Sequence, residues 1–237
     1  MTQYVFQKIT PPTRGEVIQL QEGRVVPPER PIVPFIEGDG IGPDIMRAAR
    51  LVLDEAVRLA YGGRREIVWF EVYASRKAQE LLGELLPADT LRVLQTYRVG
   101  LKGPFTTMAG PRGYRSLVAQ IRQQLDLYAC IRPIRYFRGV PAPVRHPEKV
   151  DMVVFRENTE DVYAGLEWGA GSEEARRLRE WLREVLGVEV RADAGLGLKL
   201  ISAYGSRRLV RAALRYAVER GRRSVTLVHK GNIMKYT

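Results

Sequence analysis

One cysteine, two histidines and no apolar run long enough to cross a bilayer set the first limits on this 237-residue chain. Cys130, alone, forms neither an intramolecular disulfide nor a zinc site, and it reads as a buried structural thiol in a reducing compartment. His146 and His229 are too few and too far apart in sequence to argue a metal centre or a catalytic triad. No window approaches the ~18 consecutive apolar residues of a membrane span. The opening MTQYVFQKITPPTRGEV mixes charge and proline where a signal peptide needs an apolar centre, so a cytoplasmic protein with no membrane partner is expected. Internal repeats and low-complexity tracts are also lacking.

What is present is the composition of a globular chain of one or two domains, 45% hydrophobic and 27% charged. Thirty-eight basic against 27 acidic residues give a net charge of +11, and all but seven of the basic residues are arginine. That bias suits planar, bidentate recognition of carboxylate or phosphate. The arginines are scattered, not gathered into a tail, which weakens the case for a nucleic-acid arm; no nucleic-acid partner is expected, although composition alone leaves nucleic acid and anionic metabolites both open.

Strands alternate with helices along the chain, which implies a mostly parallel α/β sheet. Ile32 to Ile36 reads as a buried strand, followed by a glycine-rich turn and a helix opened by Pro43 that presents Ile45, Ala48, Ala49, Val52 and Leu53. Further strands are expected at Glu66 to Ala74, Val99 to Leu101, Tyr128 to Ile134, Val150 to Phe155, Gly187 to Ala192 and Ser224 to His229. Helices are expected over Ser75 to Leu86, from a cap near Asp89, and over Ser116 to Leu125, Ser172 to Leu186 and Ser206 to Arg220. GNIMKYT reads as the start of another helix without a capping signal, so the chain is expected to be a fragment.

Three segments carry candidate chemistry. GDGIG, Gly38 to Gly42, sits between strand and helix, where backbone N–H groups meet anions. Pro43 occupies the place of the third glycine of a dinucleotide fingerprint, and a plain tight turn and a phosphate-contacting loop both stay open. The segment KGPFTTMAGPRGYRSLVAQIR places Lys102, Thr106, Thr107, Arg112, Arg115, Ser116 and Arg122 on and beside a glycine-proline loop able to close over a ligand. Ser116 either caps the helix that follows or donates to a substrate carboxylate. Arg122 lies nearly two turns along the same helix, and Arg132 ends the next apolar run, so both are able to converge on one pocket. In FRENTEDVYAGLEW, Arg156 ends a strand and Tyr163 follows, a general acid or an ordinary packing residue; Lys230 ends SVTLVHK as a base or a neighbour of that tyrosine.

Taken in order, IEGDGIGPDI, KGPFTT, YRSL, LDLYACIRP, HPEK, FRENTEDVYAGLEW, SRRLVRAALRYA and SVTLVHKGNIMKYT resemble the prokaryotic isocitrate dehydrogenases of the isocitrate/isopropylmalate dehydrogenase family over nearly the whole chain. The resemblance implies that family's α/β fold, incomplete here, with residues 1–127 as the first half of a large domain. Residues 128–237 would form a small domain carrying a clasp at about 161–205. It implies oxidative decarboxylation of isocitrate to 2-oxoglutarate with NADP, NAD remaining an alternative, and with Mg2+ or Mn2+. By the same resemblance Ser116, Arg122, Arg132 and Arg156 bind substrate, Thr106 and Thr107 touch the cofactor, and Tyr163 protonates carbon. Lys230 would reach the site of the second subunit in a homodimer with shared active sites. The family's metal-binding aspartates would lie beyond Thr237. Val118 stands where the family has a substrate-bonding asparagine, and the loop before Ser116 is one residue longer than usual. Two alternatives accompany this reading: a non-catalytic, dimerising remnant, and a relative acting on isopropylmalate or homoisocitrate.

Overall fold

A computed structural model describes residues 6–106 and 116–237. The chain divides into two compact units, Met1–Ile121 and Arg122–Thr237.

The first unit is built on a three-stranded parallel sheet of β3 (Ile32–Ile36), β4 (Val68–Glu71) and β5 (Leu101–Lys102), in the order β4-β3-β5. A short hairpin of β1 (Gln19–Gln21) and β2 (Arg24–Val26) precedes it within the polar leader. The register pairs Ile32 with Val68 and Phe35 with Leu101, so alternate side chains fall on opposite faces. One face carries Ile32, Ile36, Val68, Phe70 and Val72 against Val93 and Tyr97 of helix α3 (Ala88–Tyr97). Phe70 and Tyr97 meet edge to face at 5.7 Å.

The other face packs on helix α1 (Gly42–Tyr61), and not through the apolar residues that the sequence pattern singles out. The inward ridge is Met46, Arg50 and Asp54, spaced one turn apart. Met46 is buried, the Arg50 guanidinium stacks over Phe35 at 4.3 Å and Trp69 at 5.3 Å, and Trp69 Nε1 donates to Asp54 Oδ1 at 2.8 Å. Ile45, Val52 and Leu53 are consequently exposed. Helix α2 (Arg76–Leu82) is shorter than expected, because Gly83 in the left-handed conformation ends it.

Helix α4 (Leu117–Gln124) leads in sequence into the second unit. There β6 (Ala129–Arg135) and β7 (Asp151–Glu157) form an antiparallel ribbon, and helix α6 (Ala203–Glu219) covers one side through Phe155 and Tyr216, 5.4 Å apart. Helix α5 (Glu173–Leu186) lies between β8 (Glu167–Trp168) and β9 (Leu196–Gly197), which pair antiparallel. Ser172 accepts from Ala175 N–H at the start of α5, and Gly187 in the left-handed conformation ends it. The strands expected at 187–192 and 224–229 do not form, and neither does a helix after Gly231. Their apolar residues find no neighbouring strand: Val225, Leu227 and Val228 are exposed, the last at 89%. A strand signal is realised only where a partner satisfies its backbone.

Candidate functional site

In the first unit the GDGIG turn resolves the choice between a tight turn and an anion cradle. A Cβ on Gly38, whose φ is +87°, would collide with Pro104 O, and one on Gly103 would collide with Glu37 O. The turn and the KGPF segment are thus packed backbone on backbone. Between them lies the Asp39 carboxylate, 7% exposed. It accepts from Ser75 Oγ at 2.6 Å, Thr106 N–H at 2.7 Å and Arg76 N–H at 3.3 Å. Asp39 N–H donates to Pro104 O at 2.7 Å. The anion at this turn is therefore the protein's own aspartate. The glycine spacing carries no sign of this role of Asp39, which rests on a buried carboxylate shared among three chain segments.

Of the residues expected to touch cofactor, Thr106 has its amide held by Asp39, and Thr107 lies outside the described residues, as do Arg112 and Arg115. Ser116 Oγ accepts from Ala119 N–H at 3.4 Å, so it does cap α4. The hydroxyl still has its own proton to donate. Ser116 belongs to the first unit and Arg122, Arg132 and Arg156 to the second.

The second unit gathers three of the expected residues. In the β6–β7 register Cys130 faces Arg156 and Arg132 faces Val154, which puts Arg132 and Arg156 on the same face of the ribbon as diagonal neighbours. Phe155, and with it α6, lies on the opposite face. The Arg156 guanidinium stands over the Tyr163 ring at 4.6 Å. Tyr163 belongs to a 3-10 turn, Asp161–Ala164, whose Tyr163 and Ala164 carbonyls accept from Gln123 Nε2 at 2.9 and 3.3 Å. Arg156 Nε is buried without a hydrogen-bond partner among the described residues. Arg50 and Arg208 share that property, but Arg50 is stacked on Phe35 and Trp69, and Arg208 lies between Tyr128 and Tyr204 at 4.6 and 4.9 Å. Of the three, Arg156 is the one beside a second arginine on an open ribbon face.

The turn after β7 is held by its own carboxylates. Glu157 accepts from Thr159 N–H and Oγ and from Glu160 N–H. Burial pushes its carboxyl upward, yet these hydrogen bonds outweigh that and hold it below the ordinary value. Glu160 in turn accepts from Ser202 N–H at 2.7 Å and from the Ser202 hydroxyl. Lys230 lies on exposed chain and makes no hydrogen bond, ion pair or ring contact with Arg132, Arg156 or Tyr163 among the described residues. Open depressions of about 710 and 430 Å³ run along α6. The second includes Ile131 and Phe155, on the ribbon face away from the arginines, so neither is the arginine site.

The isocitrate/isopropylmalate dehydrogenase family model matches residues 32–237. The chain belongs to the isocitrate/isopropylmalate dehydrogenase family. It is 55% identical over 232 residues to an isocitrate dehydrogenase [NADP] of Archaeoglobus fulgidus, and 52% identical over 237 residues to that of Coxiella burnetii. Each match takes in 98% of this chain and 55% of the relative, so this family member spans about half the length of the curated relatives it matches. Among solved structures, isocitrate dehydrogenase from Methylococcus capsulatus superposes with a TM-score of 0.68 at 34% identity, covering 86% of this chain and 52% of that one. The TT0538 protein from Thermus thermophilus gives the same TM-score at 31% identity, covering 92% of this chain and 37% of that one. The α/β fold with a parallel sheet is thus that of the dehydrogenase family, represented in part. Among the described residues no helix is long and apolar enough to cross a membrane, and no three His, Cys, Asp or Glu side chains converge on a common point.

Proposed function

We propose that this chain supplies the carboxylate-recognition part of an NADP-dependent isocitrate dehydrogenase. The observation that carries the reading is Arg156: a buried guanidinium N–H without an acceptor among the described residues, on the ribbon face that also bears Arg132, over the ring of Tyr163. A buried unpaired donor is costly, and a substrate carboxylate relieves that cost. Two arginines on one face of the ribbon match several negative charges of a tricarboxylate. The relatives' printed names supply the reaction class and the cofactor.

In this reading NADP, when bound, would supply the hydride acceptor that turns the hydroxyl-bearing carbon of isocitrate into a 2-oxo acid. The 2-oxo acid then sheds CO2, and the electron pair left behind takes a proton from the Tyr163 phenol to give 2-oxoglutarate. Arg132 and Arg156 bind and orient the carboxylates that stay on the product. The described residues do not form a divalent-metal site, and Thr106, its amide held by Asp39, is the one described residue that would meet the nicotinamide end of the cofactor. Lys230 on exposed chain supports donation of that lysine to a second subunit, the homodimer of the proposal.

Calorimetric titration of the chain with isocitrate and with 3-isopropylmalate tests the reading. Isocitrate is expected to bind more tightly, and Arg132→Ala to weaken it roughly tenfold, the effect of one lost charge-assisted hydrogen bond. Tighter binding of 3-isopropylmalate would move the substrate to 2-hydroxy dicarboxylates that carry an apolar substituent. An absence of binding to either would remove the recognition role. Co-expression with the portion of the Archaeoglobus fulgidus relative outside the match is expected to restore isocitrate-dependent NADPH formation.

A further inference from the structure

Among the described residues Asn158 is the one buried polar residue of the second unit, 5% exposed, and the reaction proposed above gives it no task. Its side chain works at both ends. Nδ2 donates to Leu127 O at 3.3 Å, and Oδ1 accepts from Arg156 Nη2 at 3.3 Å. Leu127 lies two residues before β6 and Asn158 directly after β7, at the end of the ribbon where Ala129 faces Glu157. The amide thus ties the end of one strand to the arginine that closes the other. A serine would be too short to span both groups, and an apolar residue of the same size would satisfy neither.

The consequence falls on Arg156. Its guanidinium is fixed by the Asn158 amide at Nη2 and by stacking over the Tyr163 ring, which leaves the buried Nε–H without an acceptor among the described residues. An arginine side chain has many rotamers, and one already held in a single geometry loses less entropy on binding an anion. We infer that Asn158 is a positioning residue: it holds Arg156 in the orientation that receives a ligand carboxylate, without touching the ligand itself. This rests on Arg156 being a carboxylate-binding residue.

The test is a double-mutant cycle read by isocitrate titration calorimetry on the wild-type chain, Arg156→Ala, Asn158→Ala and the double variant, with circular dichroism and thermal unfolding as the check on folding. Arg156→Ala is expected to weaken isocitrate binding roughly ten- to a hundredfold and Asn158→Ala about threefold to tenfold. The double variant is expected to bind no more weakly than Arg156→Ala alone, since Asn158 has nothing left to position. An effect of Asn158→Ala that is undiminished in the Arg156→Ala background overturns the inference, because it then acts through the fold at large. A folded Asn158→Ala chain with wild-type affinity overturns it as well. If Arg156→Ala leaves affinity unchanged, the carboxylate reading of Arg156 fails and Asn158 falls with it, a result distinct from the previous two. Asn158→Ser, which retains a hydroxyl for local bonding, carries the same cycle should the alanine variant be unstable.

Discussion

The two units of this chain are held together by different means. In the first, Ile32, Phe35, Ile36, Val68, Phe70, Val72 and Val93 are buried among others, with an apolar cluster on one face of the sheet and Met46 and the stacked Arg50 on the other. In the second, the buried hydrophobic residues among those described are only Ala175 and Ala217, and the connections are polar. Arg208 on α6 binds both oxygens of Asp126 at 2.8 Å, donates to Thr159 Oγ at 2.9 Å and stacks on two tyrosines. Arg179 on α5 donates to the carbonyls of Ala170 and Ala194, and Asn158 bridges the ribbon end. A core closed by area is indifferent to direction, whereas hydrogen bonds and stacked guanidinium groups fix it. The unit that carries the candidate arginines is the one organised by directional contacts.

The sharpest way to break this contrast is to remove area from the first unit. Phe70→Ala is expected to cost about 3–5 kcal/mol, the range for an aromatic deleted from a packed core, read as lost hydrogen-exchange protection of β3. Asp39→Ala, in the same unit, tests the buried carboxylate that joins Ser75 to Thr106. It leaves the Ser75 hydroxyl and Thr106 N–H without their acceptor and is expected to cost about 1–3 kcal/mol, with faster exchange at the Thr106 amide. Arg208→Ala carries the comparison into the second unit. Asp126 is largely exposed and already shares its charge with water, so about 1–2 kcal/mol is expected, seen in the exchange of β6 and β7 amides while β3 is unchanged.

The smallest effects separate the units by pH. Glu157, in the second, is held below its ordinary value of 4.5: burial opposes ionisation, and the hydrogen bonds from Thr159, Asn158 and Glu160 overcome it. Its contribution to stability is present above that value and is lost as pH falls through the lowered one. Lys77, in the first unit, is raised above 10.5: burial lowers it, but Glu37, 2.7 Å away, and Glu71 prevail. Its contribution is complete below 10.5 and disappears as pH rises through the raised value. Acid is therefore expected to loosen β7 and its turn first, and alkali the carboxyl ends of β3 and β4, in exchange profiles measured across pH. Glu157→Gln is expected to flatten the acid limb and Lys77→Met the alkaline one.

Much of this was legible beforehand. Strands β3, β6 and β7 fall within one or two residues of their expected bounds, because each pairs with a neighbour that completes its hydrogen bonds. Helix α5 begins at its expected cap, Ser172, whereas α6 begins at Ser202, four residues before the expected Ser206, because the Ser202 hydroxyl accepts the Gly205 N–H. Equally strong patterns failed elsewhere. SVTLVHK has the composition of a strand and stays unpaired, and the apolar stripe of α1 faces outward because Arg50 and Asp54 find better partners in Phe35 and Trp69. Periodicity states what a segment is able to bury, not whether anything comes to cover it.

The same division holds for the candidate site. The sequence by itself determined the residue types: arginines at 122, 132 and 156, a tyrosine at 163, and the motifs that assign the chain to its family. The tertiary structure alone decided that Arg132 and Arg156 share one face, since that depends on an antiparallel register in which a slip of one residue reverses every side chain. It also decided that the charge filling the GDGIG turn is Asp39, and that Asn158 holds Arg156 from a carbonyl 31 residues away. These are contacts between segments distant in the chain, and no local pattern encodes them. They arise only when the ribbon closes and the buried polar groups must find partners among the residues that folding has brought within reach.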